Sequence, residues 1–259
     1  MTTAVRPAAK SPSSPTGRLQ DGAFRAGATG AGAGILLLAL LAPFGVLLAV
    51  DGLVTPGDPA RTAQDIAGSA VLFRLGIVSL LAVAVIDIVV AWGLHQVLRR
   101  TDGGLSALAA WMRLAYATVL LVGVAHLVAA LRLLDAPPGT FTATQNQVRA
   151  LSEIEAFHDV FSAGLMLFGV HLILVGCLAW QSGFVPRLLG TLVCLSGAGY
   201  AFDSVAAVLS DGAAPAAATV TFVGELLLGV WLLARGRRAE EADLATHQHK
   251  RGRRSDWVT

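Results

Sequence analysis

Apolar positions along the chain fall into long blocks separated by short polar stretches. The blocks run from Gly30 to Val50, Val71 to Val97 and Leu108 to Leu133, and two more lie between Ser152 and Leu209, folded back on each other through the turn Gln181 to Arg187. A last block ends near Ala234. At 1.5 Å rise per residue a helix of about 20 apolar residues crosses a bilayer, and each block is that long. The pattern therefore predicts an all-α, polytopic membrane protein, a bundle of six transmembrane helices.

The punctuation between blocks sets the expected helix ends. Asp58-Pro59 is a helix start that predicts a short helix ahead of the second span, and Pro137-Pro138-Gly139 ends the third. Ser152 and Glu155 have the S-x-x-E form of a capping box, which predicts that the fourth helix begins at Ser152. The linker Ser210 to Pro215 leads into the sixth span.

Composition agrees with this pattern. Hydrophobic residues make up 55% of the 259 residues and charged residues 14%, against about 25% charged in a soluble domain, and the mean hydropathy is +0.67. A soluble catalytic domain of any size is excluded. The net charge of +2 does not point to nucleic acid, because 7 of the 19 Lys and Arg lie in the last 25 residues, beside the final apolar block. Those charges speak to orientation. Fourteen basic residues fall in the two tails and the loops at Arg99-Arg100 and Arg187, while the opposite loops hold Arg61 and Arg149, so the positive-inside rule predicts both termini in the cytoplasm of an inner-membrane, multi-pass protein. An even number of spans satisfies that bias. The expected parts are a basic, disordered tail over residues 1–25, a membrane domain over 26–235 and a charged tail over 236–259. The first block is read as an uncleaved span: its n-region is long for a signal peptide and no small-residue cleavage site follows before Asp51.

Polar residues within spans are costly in lipid and are the leads to function. Ser196, Tyr200 and Asp203 lie at i, i+4 and i+7 and share one face of the fifth span. Counted from the outer helix ends, Arg74, His126, Asp159, Tyr200, Asp203 and Glu225 form an expected outer cluster, with Arg74 and His126 as partners for Glu225. An inner group holds Asp87, Arg113 and His171, in which Asp87 is expected to pair with Arg113, since an unpaired carboxylate at that depth is expensive. Three readings of these residues stand side by side: an interhelical network that fixes packing, a transport or ligand pathway, and an intramembrane enzyme using His, Asp and Glu. No H-E-x-x-H, Walker loop, Cys-x-x-Cys or Ser-His-Asp order is present, so no cofactor and no metal is expected. The closely set Gly27, Gly30, Gly32 and Gly34 fail the G-x-G-x-x-G spacing and read as small residues for helix packing. Cys177 and Cys194 read as small buried hydrophobes, and Trp92, Trp111, Trp180 and Trp231 as an interfacial belt. His95, His247 and His249 form no ligand spacing.

A set of short signatures carries a resemblance: Leu72-Phe73-Arg74, Arg113-Leu114, Gly169-Val170-His171-Leu172, the stretch Ser182-Gly183-Phe184-Val185-Pro186-Arg187-Leu188-Leu189-Gly190, Gly199-Tyr200, Gly224-Glu225-Leu226 and Trp231-Leu232-Leu233. In this order they resemble the bacterial family known as domain of unknown function 4386, over about Phe24 to Arg238. The resemblance implies a multi-span integral membrane protein and assigns no activity. From the intramembrane polar residues, the function expected is that of a small-solute carrier or accessory membrane protein, with the intramembrane enzyme as alternative. The expected partner is the lipid bilayer and not nucleic acid, while the small-molecule ligand and the oligomeric state stay open.

Overall fold

The computed structural model describes residues 15–137, 139, 141–210 and 222–235. Among them there is no strand. The tails over 1–14 and 236–259, Pro138, and most of the linker into the last span, with Thr219 and Thr221, lie outside the described residues, as do His247 and His249.

Seven α-helices follow in order: α1 Pro15–Pro43, α2 Pro59–Gly68, α3 Ala70–Leu98, α4 Gly103–Leu134, α5 Ala143–Gln181, α6 Arg187–Leu209 and α7 over 223–235. Five segments are long and apolar enough to cross a membrane, those of α1 and α3 to α6; α7 is the described part of the sixth apolar block. The outward faces are lipophilic, with Leu40, Val71, Val85 and Val208 between 62% and 82% exposed. In water such a surface would aggregate, and in a bilayer it is the required one.

Local chemistry explains the helix ends. Asp58 caps α2 by accepting the Arg61 backbone N–H at 3.0 Å, with Pro59 at the first position, as its sequence predicts. The start of α5 differs from expectation. Thr142 and Gln145 form the capping box, the Gln145 side chain accepting the Thr142 N–H at 2.8 Å, so the helix begins at Ala143 and Ser152 and Glu155 lie inside it. The polar residues from Thr144 to Arg149 are good enough helix formers to carry α5 outward from the apolar block, to a length of about 58 Å, and this extension packs on α2. At the other end of the chain, α1 starts at Pro15, within the stretch expected to be tail. Phe24 gives a reason: it meets Phe184 edge-on at 6.0 Å and Arg100 sits 5.2 Å from its ring, so this turn of helix has a partner in the α5–α6 turn.

The spanning helices form a closed ring. Sequential neighbours pack as α1 on α3, α3 on α4, α4 on α5 and α5 on α6, and α7 closes the circle between α6 and α1. Glycine makes the seams tight, because lipid supplies no hydrophobic force between helices and close backbone approach must do so. A Cβ on Gly27 would stand 2.8 Å from the Gly93 carbonyl of α3, one on Gly169 2.6 Å from the Gly197 carbonyl of α6, and one on Gly32 2.8 Å from the Gly229 carbonyl of α7. Gly27, Gly32 and Gly34 of α1 are thus contact points, as expected, while a Cβ on Gly30 would come no nearer than 4.0 Å to its neighbour Val89. Cys177 and Cys194, expected to be buried, are half-buried and face each other across the α5–α6 seam at 3.9 Å, both as free thiols. Gly176 accounts for this placement, since Cys194 packs against the space its missing side chain leaves.

The seam reading makes a prediction. Gly169→Val must push α5 from α6 and should cost about 1–3 kcal/mol, the usual range for overpacking, whereas a methyl at Gly103 meets nothing within 4 Å and Gly103→Ala should be neutral. Thermal midpoints in detergent compare the two, and equal midpoints would show that the seam is not tight.

Candidate functional site

Four polar residues meet inside the ring at one depth. Arg113 is about ten residues from the start of α4, and Asp87, His171 and Glu225 are each about ten from the ends of α3, α5 and α7, or roughly 15 Å, half the thickness of the hydrocarbon core. Arg113 is the hub. Its side chain is fully buried. Its Nε donates to Asp87 Oδ1 at 2.7 Å and its Nη2 lies 2.7 Å from the same oxygen. Nη1 and Nη2 both donate to Glu225 Oε1 at 3.3 Å, and Nη1 also meets His171 Nε2 at 3.1 Å. The guanidinium carbon stands 5.1 Å from the centroid of the Phe168 ring, within cation–π range.

The hydrogen bonds fix the state of His171. Its Nδ1 is 2.8 Å from the Ala109 carbonyl, which can only accept, so Nδ1 carries the proton. Nε2 then accepts from Arg113, and the imidazole is neutral with both nitrogens engaged. The cluster therefore contains one fixed cation and two carboxylates.

This cluster forms part of the wall of a cavity of about 410 Å³. The five long helices and α7 all line it: Ile35 and Leu38 from α1, Val83 from α3, Tyr116 from α4, Phe161 and Phe168 from α5, Tyr200 from α6 and Leu226 from α7, together with Asp87, Arg113 and Glu225. Phe168 is central to the aromatic part, 4.9 Å from the Tyr116 ring and 5.1 Å from that of Tyr200. The rest of the lining, through Pro43 and Leu47 at the end of α1 and Phe222 ahead of α7, lies toward the side of the membrane opposite the Gln181 turn.

The residues expected to form an outer cluster separate. Arg74 bonds Asp135 at 2.7 Å with both side chains more than half exposed. His126 bonds Glu153 at 2.7 Å with each about one-third exposed. Asp159 is exposed, and its neighbour His158 lies 3.3 Å from Asp51. Glu225, expected to face Arg74 and His126, instead joins Arg113. The reason is the end from which depth is counted: measured from Arg235 and not from the linker, Glu225 is level with Arg113. Tyr200 lines the cavity, and Asp203, one turn along α6, is buried with Ser196 on the same inward face. Asp87 and Arg113 stand as the pair the sequence predicts, with His171 beside them. Among the lining residues that escaped the sequence reading are Tyr116 and Phe168. Each lies three positions from a residue already singled out, Arg113 and His171, and the helical i, i+3 relation was the available signal.

A family model described as Domain of unknown function (DUF4386) matches residues 30–236, all six apolar blocks and the whole of this site. The chain belongs to that family. A similar protein from Archaeoglobus fulgidus, described as "Uncharacterized protein", is 28% identical over 165 residues, which cover 64% of this chain and 86% of that one. No solved structure matches the chain.

The charge count of the cluster predicts an asymmetry between its members. Arg113→Met leaves two buried carboxylates without a cation and should cost about 3–5 kcal/mol, as when one partner of a buried pair is removed. Asp87→Asn leaves one carboxylate against one guanidinium and should cost clearly less. Folded yield and thermal midpoint measure both, and equal damage would show that the two carboxylates do not share Arg113.

Proposed function

We propose that this DUF4386 protein is a membrane-embedded binding or carrier protein that holds a small, largely apolar molecule in its central cavity. The observation that carries the reading is the cavity itself, drawn from the five long helices and α7 and holding Asp87, Arg113 and Glu225 in its wall. A site at mid-depth, bounded by the ring and not by one helix pair, is the position a carrier requires. An enzyme is less well supported, because His171, the natural base, has both ring nitrogens engaged and both carboxylates are turned to Arg113.

Photolabelling tests this directly. A neutral aryl diazirine added to the protein in lipid nanodiscs should leave adducts on Tyr116, Phe168 and Tyr200, and these should disappear in Ala39→Trp, which fills the cavity from α1. Lipid-facing Leu40 should be labelled in both. Labelling confined to lipid-facing positions would remove the binding reading.

The distribution of basic residues supports a topology as part of the same proposal: an inner-membrane protein, membrane domain over 26–235, with both tails in the cytoplasm. The cavity then lies nearer the outer leaflet than the basic face. A reporter active only in the periplasm should be silent when fused after Thr259; activity there would reverse the orientation or change the number of spans.

A further inference from the structure

Among the described residues, the cavity is short of one positive charge. Asp87 and Glu225 both contact Nη2 of Arg113, at 2.7 and 3.3 Å, so their oxygens lie within about 6 Å of each other and form one electrostatic unit with a single counter-charge. The described residues facing Glu225 come from five helices. From α4 come Arg113 and the phenol Tyr116, from α3 Asp87, from α5 the neutral His171, and from α6 the phenol Tyr200 with Asp203 beyond it; α1 contributes the apolar Ile35, Leu38, Ala39 and Ala42. Among the described residues lining the cavity, Arg113 is the one base. The linker 211–221 contains no Lys, Arg or His, so it cannot supply another. An isolated charge in such surroundings is not sustained, and the missing charge must come from a proton or from a ligand.

The wall selects between ligand types. Tyr116, Phe161, Phe168, Tyr200 and Phe222 share the cavity wall with the carboxylates, and aromatic faces attract cations more strongly when both are out of water. They do not suit a strongly hydrated metal ion, which needs six or more oxygen ligands at once, and no group of three or more His, Cys, Asp or Glu side chains that could hold one is present among the described residues. We propose that the central cavity is a site for a lipophilic organic monocation, whose charge replaces a proton shared by Asp87 and Glu225. One proton leaves the carboxylates for each cation that enters, so charge is conserved, and proton and cation compete. The inference rests on the cavity being a binding site and adds what occupies it.

The experiment uses the full-length protein in nanodiscs and the aryl diazirine described above, with benzyltrimethylammonium as competitor and neopentylbenzene, the same shape with carbon in place of nitrogen, as its neutral match. Benzenesulfonate serves as the anion. The ammonium should suppress labelling of Phe168 and Tyr200 at a concentration about tenfold lower than the neutral match, and benzenesulfonate should not compete. Because protonation removes the counter-charge, the ammonium's advantage should shrink as pH falls, while the neutral compound's competition stays level. In Glu225→Gln, and separately in Asp87→Asn, the preference for the ammonium should fall toward one. If either variant does not fold, the pH series on the native protein carries the same test. Equal competition by the ammonium and its neutral match, or stronger competition by benzenesulfonate, would overturn the cation proposal and leave the binding site standing. Competition by none of the three would overturn both.

Discussion

Burying one arginine at the middle of a membrane constrains everything packed around it. Arg113 has five N–H donors and no acceptor, and in hydrocarbon none of them can be left to water. Asp87, His171 and Glu225 satisfy them from α3, α5 and α7, three helices that are not consecutive in the chain. For those side chains to arrive at one point, the helices must stand at fixed heights and turn fixed faces inward. The interaction does little for stability on its own, since desolvation of the ions offsets much of their attraction. What it specifies is register.

The glycine seams supply the cohesion that the charge cluster does not. With Gly27 on Gly93, Gly32 on Gly229 and Gly169 on Gly197, backbones approach closely along the perimeter, and dispersion between helices replaces the hydrophobic effect that lipid cannot provide. A ring closed by tight seams need not be filled at its centre. The division of labour explains why a cavity persists where a soluble core would have collapsed: side chains that would fill it are replaced by phenylalanine and tyrosine rings that line it, and the charge cluster holds the wall they surround.

The spans were legible in the sequence because a bilayer demands about 20 apolar residues whatever the tertiary structure. So were Asp87 and Arg113, since consecutive antiparallel helices bring residues equidistant from their connecting turn, as these nearly are, to the same height. Glu225 was misplaced because its helix has two ends from which to count, and only contact with Arg113 decides between them. Arg74 and His126 were misplaced for a different reason. Depth along a helix does not give direction around it, and both turn outward to acidic residues at polar ends, Asp135 and Glu153, where solvation makes a charge cheap. The start of α5 was hidden by two capping patterns within ten residues of each other, of which only the outer, Thr142 with Gln145, has the geometry of a helix end.

The two carboxylates at the hub are not equivalent, and the difference says how the site could work. Asp87 Oδ1 lies 2.7 Å from both Nε and Nη2 of Arg113, with 2% of its side chain exposed. Glu225 Oε1 lies at 3.3 Å, with 14% exposed, on the helix that closes the ring. Charge-assisted hydrogen bonds strengthen as they shorten toward 2.7 Å, so the Asp87 bond is the fixed member and the Glu225 bond the loose one. A cation beside Glu225 would compete with Arg113 for that carboxylate, while Asp87 keeps the guanidinium paired. The Glu225 bond to Arg113 also ties α7 to α4, so the looser carboxylate of the hub and the helix that closes the ring are held by the same contact.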